Sequence, residues 1–199
     1  MKRISFVTYF SLGLLVLASQ ISVFAQTPPA PAGPPDLPAQ YAATAVGQAG
    51  SAAGKTFGLK IYAEGLTSDG EVSELVSVLK NKGQDGLVAA MEKMNDKGRI
   101  APDGGVGTGM RVVRIRPTKD GGQHIVLATN RPISFPELYN ATRSTQYKIG
   151  IVVLDLDKDG KGTGTFSPLC KVRFNKKNEL EIETYGQKPF RLANVYRQK

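Results

Sequence analysis

The sequence predicts an α+β domain, in which an antiparallel β-sheet or partly open barrel of about six to seven strands carries a short two-helix insertion after the first strand. Two observations support this prediction. From residue 56 onward, most apolar residues alternate with polar ones in short runs separated by turn residues, which is typical of strands. Between residues 68 and 98 the apolar spacing changes to that of helices. Strands joined by short turns favour an antiparallel sheet with helices on one face or one end.

The first 25 residues have the order of a secretory signal peptide. Lys2 and Arg3 give a positive start, an apolar run follows over residues 4–17, and Val23-Phe24-Ala25 forms a small-residue cleavage site. The alternative is an uncleaved anchor, but the run is shorter than the roughly 20 residues that a spanning helix needs. We therefore expect residues 1–25 to be cleaved, no transmembrane segment to remain, and the protein to be secreted or periplasmic.

Residues 26–54 are predicted to be a linker rich in proline, alanine and glycine. Thr27–Pro38 holds six of the twelve prolines, and proline-rich segments are extended spacers. Residues 39–54 contain few large apolar residues and are expected to continue the linker. Residues 55–199 then form a single α+β domain of ordinary size. Cys170, the only cysteine, lies in an alternating apolar pattern and is expected to be a buried small side chain.

The domain is expected to begin with a strand over Thr56–Ala63 and a pair of helices. Ser68 and Glu71 have the spacing of a capping box, which starts the first helix. Gly83 is expected to end it in a left-handed conformation, and Gly98 to end the second. The apolar residues at helical spacing are Val72, Leu75, Val76 and Leu79 in the first helix and Leu87, Val88, Met91 and Met94 in the second.

The rest of the chain is predicted to be strands, with residues 119–122 as the turn of a hairpin. The apolar run Ile149–Leu154 is expected to lie in a central strand. The remaining strands are predicted over Met110–Arg116, Gln123–Asn130, Tyr147–Asp157, Thr163–Phe174, Glu179–Tyr185 and Phe190–Arg197.

The charges of residues 171–183 are predicted to be structural. A hairpin with a three-residue loop over Asn175–Lys177 places the apolar residues on one face, with Val172 opposite Leu180 and Cys170 opposite Ile182. Its other face then sets Arg173 against Glu179 and Lys171 against Glu181. Opposite charges across a strand pair contribute a few tenths to about 1 kcal/mol each.

Arg114 and Arg116 are the predicted ligand-binding residues. They alternate along one strand, and the strand expected beside them, residues 123–129, contains no acid. The whole chain has a formal charge of +9, or +7 without Lys2 and Arg3. A row of exposed arginines is suited to a carboxylate, a phosphate or a sulfated sugar. An acidic polymer or another component of the cell envelope is therefore the expected partner, and a solvated face is the alternative.

Asp155, Asp157 and Asp159 are the candidate metal ligands. Three carboxylates at alternate positions before Gly160 resemble the first half of a calcium loop. The twelfth position, which should be a glutamate, is Phe166, and strands rather than helices flank the loop. The alternative is a plain hairpin turn, since Asp and Gly favour such turns. Calcium is thus the one cofactor that the sequence suggests.

No catalytic residue is assigned from the sequence. His124 is the only histidine, no nucleophile elbow is present, and we expect it to be an ordinary surface residue. Residues 49–56 match a relaxed nucleotide-binding loop, but a proline-rich spacer precedes them and a strand follows. We therefore expect no nucleotide.

The sequence favours an exported, non-enzymatic binding module that takes an anionic or extended ligand at the cell envelope. A carboxylate-dependent exported hydrolase with a calcium site is one alternative, and a buried acid pair in a cleft would distinguish it. A structural module that joins an envelope assembly through protein contacts is another, and an exposed apolar patch would favour it.

Overall fold

A computed structural model describes residues 36–135, 146–184 and 188–198. The predicted signal peptide and residues 26–35 of the predicted linker lie outside the described residues. A sheet of ten strands dominates the rest, with one α-helix, α1, over Asp69–Glu92. The strands are Ala39–Val46 (β1), Thr56–Ala63 (β2), Gly98–Pro102 (β3), Thr108–Met110 (β4), Val112–Pro117 (β5), Gln123–Thr129 (β6), Ile149–Leu156 (β7), Lys161–Phe174 (β8), Leu180–Thr184 (β9) and Phe190–Gln198 (β10).

The sheet curls into a nearly closed barrel. Its strand order is β4-β3-β2-β1-β10-β8-β7-β6-β5, and all neighbours are antiparallel. Only Arg111 separates β4 from β5, so one stretch of chain pairs first with β3 and then with β6. The backbone N–H of Arg111 itself donates to the carbonyl of Ala128, at 2.9 Å. The two ends of the strand order are therefore joined through the chain, which covers edges that an open sheet would expose.

The inward faces of the strands fill the barrel with apolar side chains. Tyr41, Phe166 and Phe190 are the largest of the fully buried residues. The rings of Phe166 and Phe190 lie 5.7 Å apart, and Phe57 meets Phe190 edge-on at 5.6 Å. Aromatic rings at these separations pack favourably and bury large areas. The interior is thus a packed core, and a ligand site has to be sought on the outside of the barrel.

Helix α1 lies against the outside of the barrel. It begins with the predicted capping box, in which the Ser68 hydroxyl accepts from the Glu71 N–H and the Glu71 carboxylate accepts from the Ser68 N–H. Gly83, at φ 65° and ψ −165°, kinks the helix. A second cluster of buried residues joins the helix to β7 and β8 (Leu75, Leu79, Leu87, Met91, Ile149, Cys170 and Val172).

The cap makes stability depend on pH through Glu71. Hydrogen bonds from Lys97 and Ser68 lower the pKa of Glu71 from 4.5 to about 2. Because the folded pKa is the lower one, the stabilisation is complete above pH 4.5 and is lost as the pH falls through about 2. We expect Glu71→Gln to melt at a lower temperature than the parent protein at pH 7, and the two melting temperatures to converge near pH 2. The exposed Glu74→Gln is the matched control, and a difference that persists at pH 2 would contradict the assignment.

The predicted fold class is wrong. The structure is a mostly antiparallel, nearly closed barrel of ten strands with one helix, rather than an α+β domain of six to seven strands with a two-helix insertion. The helix does not stop at Gly83, because the chain resumes helical geometry after one non-helical residue. Gly98, the expected end of a second helix, is the first residue of β3. Strands β3 and β4 are short and flanked by glycine and proline, so they carry little strand signal.

Residues 39–46 are a strand and not linker. In β1 the residues Ala39, Tyr41, Ala43 and Ala45 alternate inward and are buried. Alanine has low strand propensity, which hides the period of two in the composition. The strand lies between β2 and β10 in the sheet. Cys170 is fully buried as predicted, and burial raises its thiol pKa to about 12.

The β5–β6 hairpin is confirmed, whereas the predicted register of the β8–β9 hairpin is wrong by two residues. Phe174 pairs with Leu180, and Val172 pairs with Ile182. The loop has five residues because the Asn175 side chain accepts from the backbone N–H groups of residues 177 and 179. The charge pairs change partners accordingly, with Arg173 opposite Glu181 and Lys171 opposite Glu183. Leu180 is 55% exposed.

Candidate ligand groove

An apolar groove of about 530 Å³ lies between α1 and the outer face of β5–β9. One wall is the flank of the helix, and the floor is formed by outward-facing residues of the sheet. Its far end is the exposed face of β9. The apolar lining consists of Val72, Val76 and Leu79 on the helix, Val112, Val126, Ile151 and Val153 on the floor, and Leu180 and Ile182 at the far end, with further residues of the buried cluster beneath the helix.

The floor arises because strands β5 to β7 are apolar on both faces. Val113, Ile125, Val152 and Leu154 point into the barrel and are buried. The residues between them point outward, where a solvated barrel strand is normally polar. The helix covers part of this second apolar face through Leu75 and Leu79 and leaves the rest open. The apolar run of β7 therefore reflects a barrel core on one side and a groove on the other.

Exposed large apolar residues are concentrated at this groove. Six large hydrophobic side chains are exposed among the described residues, and three of them, Val76, Leu180 and Ile182, line the groove. Their exposed fractions are 39%, 55% and 49%. Scattered exposed apolar residues are ordinary, but a contiguous set at one concave place indicates a binding surface.

Arg114 lies at one end of the groove and fastens the start of the helix. Its guanidinium donates to the Thr67 carbonyl at 2.6 Å and pairs with the Asp69 carboxylate at 2.5 Å. Its buried Nε has no hydrogen-bond partner. One of the two predicted ligand-binding arginines thus has a structural role, in a contact that joins positions 45 residues apart in the chain.

Arg116 differs from Arg114, because it is exposed and makes no ion pair within the described part of the chain. It lies opposite His124 in the register of β5 and β6, and both side chains line the groove. His124 Nδ1 lies 2.6 Å from an oxygen of Asp155 on β7. The polar end of the groove therefore presents one available cation, beside a histidine that is paired with the outward-facing Asp155 of the next strand.

The three aspartates of the candidate calcium loop have separate surroundings. Asp155 is held by His124, and Asp157 accepts hydrogen bonds from the backbone N–H groups of Asp159 and Lys161 in the turn between β7 and β8. Gly160 has a φ of 71°, which completes that turn. Within the described ranges, no three acidic, histidine or cysteine side chains are arranged to hold a metal ion. The local geometry is that of an Asp-Gly hairpin turn.

The described residues include no buried aspartate or glutamate, since the buried polar residues are threonines and a serine (Thr67, Thr108, Thr129 and Ser167). The buried acid pair that would distinguish a carboxylate-dependent hydrolase is therefore not found in this part of the chain.

No helix in the described part of the chain combines the length and the apolarity needed to cross a membrane.

The groove was not predicted from the sequence, although a signal for it exists. Val112-Val113, Val126-Leu127 and Val152-Val153 are adjacent apolar pairs in strands, where a one-sided strand would alternate. The longest such run, Ile149–Leu154, predicts a central strand and does not by itself indicate a groove. Compared with protein-family models, with curated proteins and with solved structures, the chain gives no match in any of the three.

Proposed function

We propose that the protein is an exported binding module that holds an amphipathic anion in the groove between α1 and the sheet. The apolar chain of the ligand lies along Val76, Val126 and Val153, and its anionic group meets Arg116. The observation that supports this most is the continuity of an open apolar groove with an arginine that has no ion pair among the described residues.

The size and lining of the groove suit a small amphiphile. Sites for small molecules are typically clefts of roughly 300–1,000 Å³ with apolar walls and few polar groups, and this groove has about 530 Å³. Each methylene removed from water contributes about 0.8 kcal/mol. Affinity should therefore rise about fourfold for each methylene added to the ligand, until the groove is filled.

The cationic end of the groove determines which end of the ligand binds there. An arginine presents a planar fork of donors that matches a carboxylate or a sulfate. Arg116 can make this contact because it forms no ion pair with a described carboxylate and the Asp155 carboxylate in the same row is held by His124, whereas Arg114 is occupied by Asp69. The ligand class is consequently a straight-chain or extended apolar molecule with one terminal anionic group.

The proposal is tested by titrating the protein with straight-chain carboxylates of increasing length and with the alcohols of the same lengths. We expect Arg116→Gln to weaken carboxylate binding about fivefold, as for one exposed charge pair, and to leave alcohol binding unchanged. Arg131→Gln removes an equal charge from an exposed position after β6 and serves as the control. Equal affinity for carboxylates and alcohols in the parent protein, or no dependence on chain length, would contradict the proposal.

The exposed apolar surface also suits the third hypothesis, a module that docks to another protein. Protein interfaces usually bury about 800 Å² on each partner, whereas this surface is a concave groove of about 530 Å³ beside a helix. The shape thus favours a chain-like small molecule. If a purified envelope protein formed a stable complex with this protein and thereby blocked carboxylate binding, the groove would be a docking site for a protein instead.

A further inference from the structure

A second part of the barrel exterior carries cations that the ligand groove does not use. It is formed by the outward faces of β3, β2, β1, β10 and the first half of β8, which are consecutive neighbours in the sheet. We call it the cationic face and define it by Lys60, Arg99, Lys161 and Arg191 together with Tyr62 and Tyr196.

The cationic face has no acid in its strands. None of the five strands contains an aspartate or a glutamate. Acids of neighbouring segments reach the face at two places. The Asp103 carboxylate lies against Gly58 of β2, and the Asp96 carboxylate, which pairs with Arg111, lies against Gly109, the register partner of Arg99. The strand composition therefore favours a positive potential over the part of the face around Lys60, Lys161 and Arg191.

Ion pairing is distributed unevenly around the barrel. All six ion pairs between described residues involve α1, the segments beside it, or strands β5 to β9. The four cations of the cationic face take part in none of them. Several charges of the helix side, although not that of Arg116, are therefore paired within the protein, and the four cations of the cationic face are left for solvent or a partner.

The side chains of the face are arranged in rows and are partly fixed by contacts within the protein. Lys161, Tyr196, Ala42 and Lys60 lie in one row across four neighbouring strands, so the two lysines are about 14 Å apart at the usual strand spacing. In the next row Arg99 stacks on the Tyr62 ring at 4.4 Å and donates to the Val106 carbonyl. Small residues such as Ala42 between the cations let an extended chain approach the backbone.

We propose that the cationic face binds an acidic polysaccharide. Repeated anionic groups along an extended polymer complement cations spread over five strands. A single-stranded nucleic acid needs several aromatic platforms for its bases, and Tyr62 is already covered by Arg99, which leaves Tyr196, 46% exposed, as the one open ring of the face. A membrane surface is disfavoured because the strands of the face expose no large aliphatic side chain to insert, and the one exposed valine beside it, Val106, lies in the loop whose carbonyl accepts from Arg99.

The test measures affinity for heparin, polygalacturonate and neutral dextran by the parent protein and by the triple variant Lys60→Gln, Lys161→Gln, Arg191→Gln. The control triple variant Lys93→Gln, Lys119→Gln, Lys177→Gln removes the same charge from exposed sites elsewhere. We expect the first variant to bind the acidic polymers about tenfold more weakly, the control to change less than twofold, and dextran not to bind.

Several results would overturn the proposal. Equal losses in both triple variants would show that net charge alone attracts the polymer, and unchanged affinity in the first variant would place the site elsewhere. The parent protein could instead bind a single-stranded oligonucleotide, or vesicles of anionic lipid, more tightly than the acidic polysaccharides. If only the first triple variant then lost that binding, the face would be assigned to nucleic acid or to membranes. Thermal melting of each variant confirms that it is folded, and Arg116→Gln is expected to retain polysaccharide binding.

Discussion

Replacing Phe166 by alanine is expected to lower the free energy of unfolding by about 3–5 kcal/mol. Phe166 lies in the middle of β8, is fully buried, and pairs with Val152 on one side and Phe190 on the other. Its ring contacts those of Phe135 and Phe190 at 6.2 and 5.7 Å. Removal of the ring would leave a cavity at the centre of the barrel. The surrounding strands cannot move in to fill it, because each is held by hydrogen bonds to its neighbours on both sides.

Urea unfolding of the parent and the variant measures this loss. The control is Phe174→Ala, in the same strand, where the ring is only partly buried beside Lys80. We expect the control to lose much less than Phe166→Ala. A loss below about 1 kcal/mol for Phe166→Ala would show that the barrel interior is not the principal core.

Replacing Val76 by aspartate is expected to weaken binding of a long-chain carboxylate more than tenfold. Val76 is 39% exposed on the helix wall of the groove, so the fold tolerates a polar side chain there. An ionised carboxylate at this position would lie along the path of the apolar chain and would lose hydration when the ligand covers it. It would also repel the anionic group of the ligand.

Val106→Asp is the matched control for this prediction. Val106 is 86% exposed in the loop between β3 and β4 and does not line the groove, so the substitution introduces the same charge without touching the site. Fluorescence or calorimetric titration of the two variants gives the comparison. If both variants bound the carboxylate equally weakly, the effect would come from net charge. If Val76→Asp bound it as tightly as the parent protein, the groove would not be the binding site.

Local signals in the sequence predicted the elements that depend on neighbouring residues. The bounds of β2, the capping box at Ser68 and the turn between β5 and β6 each follow from a few adjacent side chains. The barrel depends instead on contacts between distant segments, such as the pairing of β1 with β10. Strand β1 is recognisable only once its neighbours are known, because alanine at its inward positions has no strand preference of its own.

The candidate site, like the fold, is predicted by local sequence patterns only in part. Arg114 and Arg116 alternate on one strand as predicted, yet a contact with Asp69 separates their roles. That contact depends on where α1 begins relative to β5, which no local pattern encodes. The groove depends on how much of an outward apolar face the kinked helix leaves uncovered, and the kink at Gly83 was interpreted from the sequence as an end rather than as a bend.

The central claim is that the groove between α1 and the sheet holds the apolar part of an anionic amphiphile. Methyl NMR of the protein during titration with a saturated long-chain carboxylate tests it most directly. The proposed function predicts shifts confined to the methyl groups of Val76, Val126, Val153, Leu180 and Ile182. Methyl groups inside the barrel, such as those of Ile61 and Ile100, should remain unchanged. Shifts at the barrel interior alone, or no shifts at saturating ligand, would contradict it.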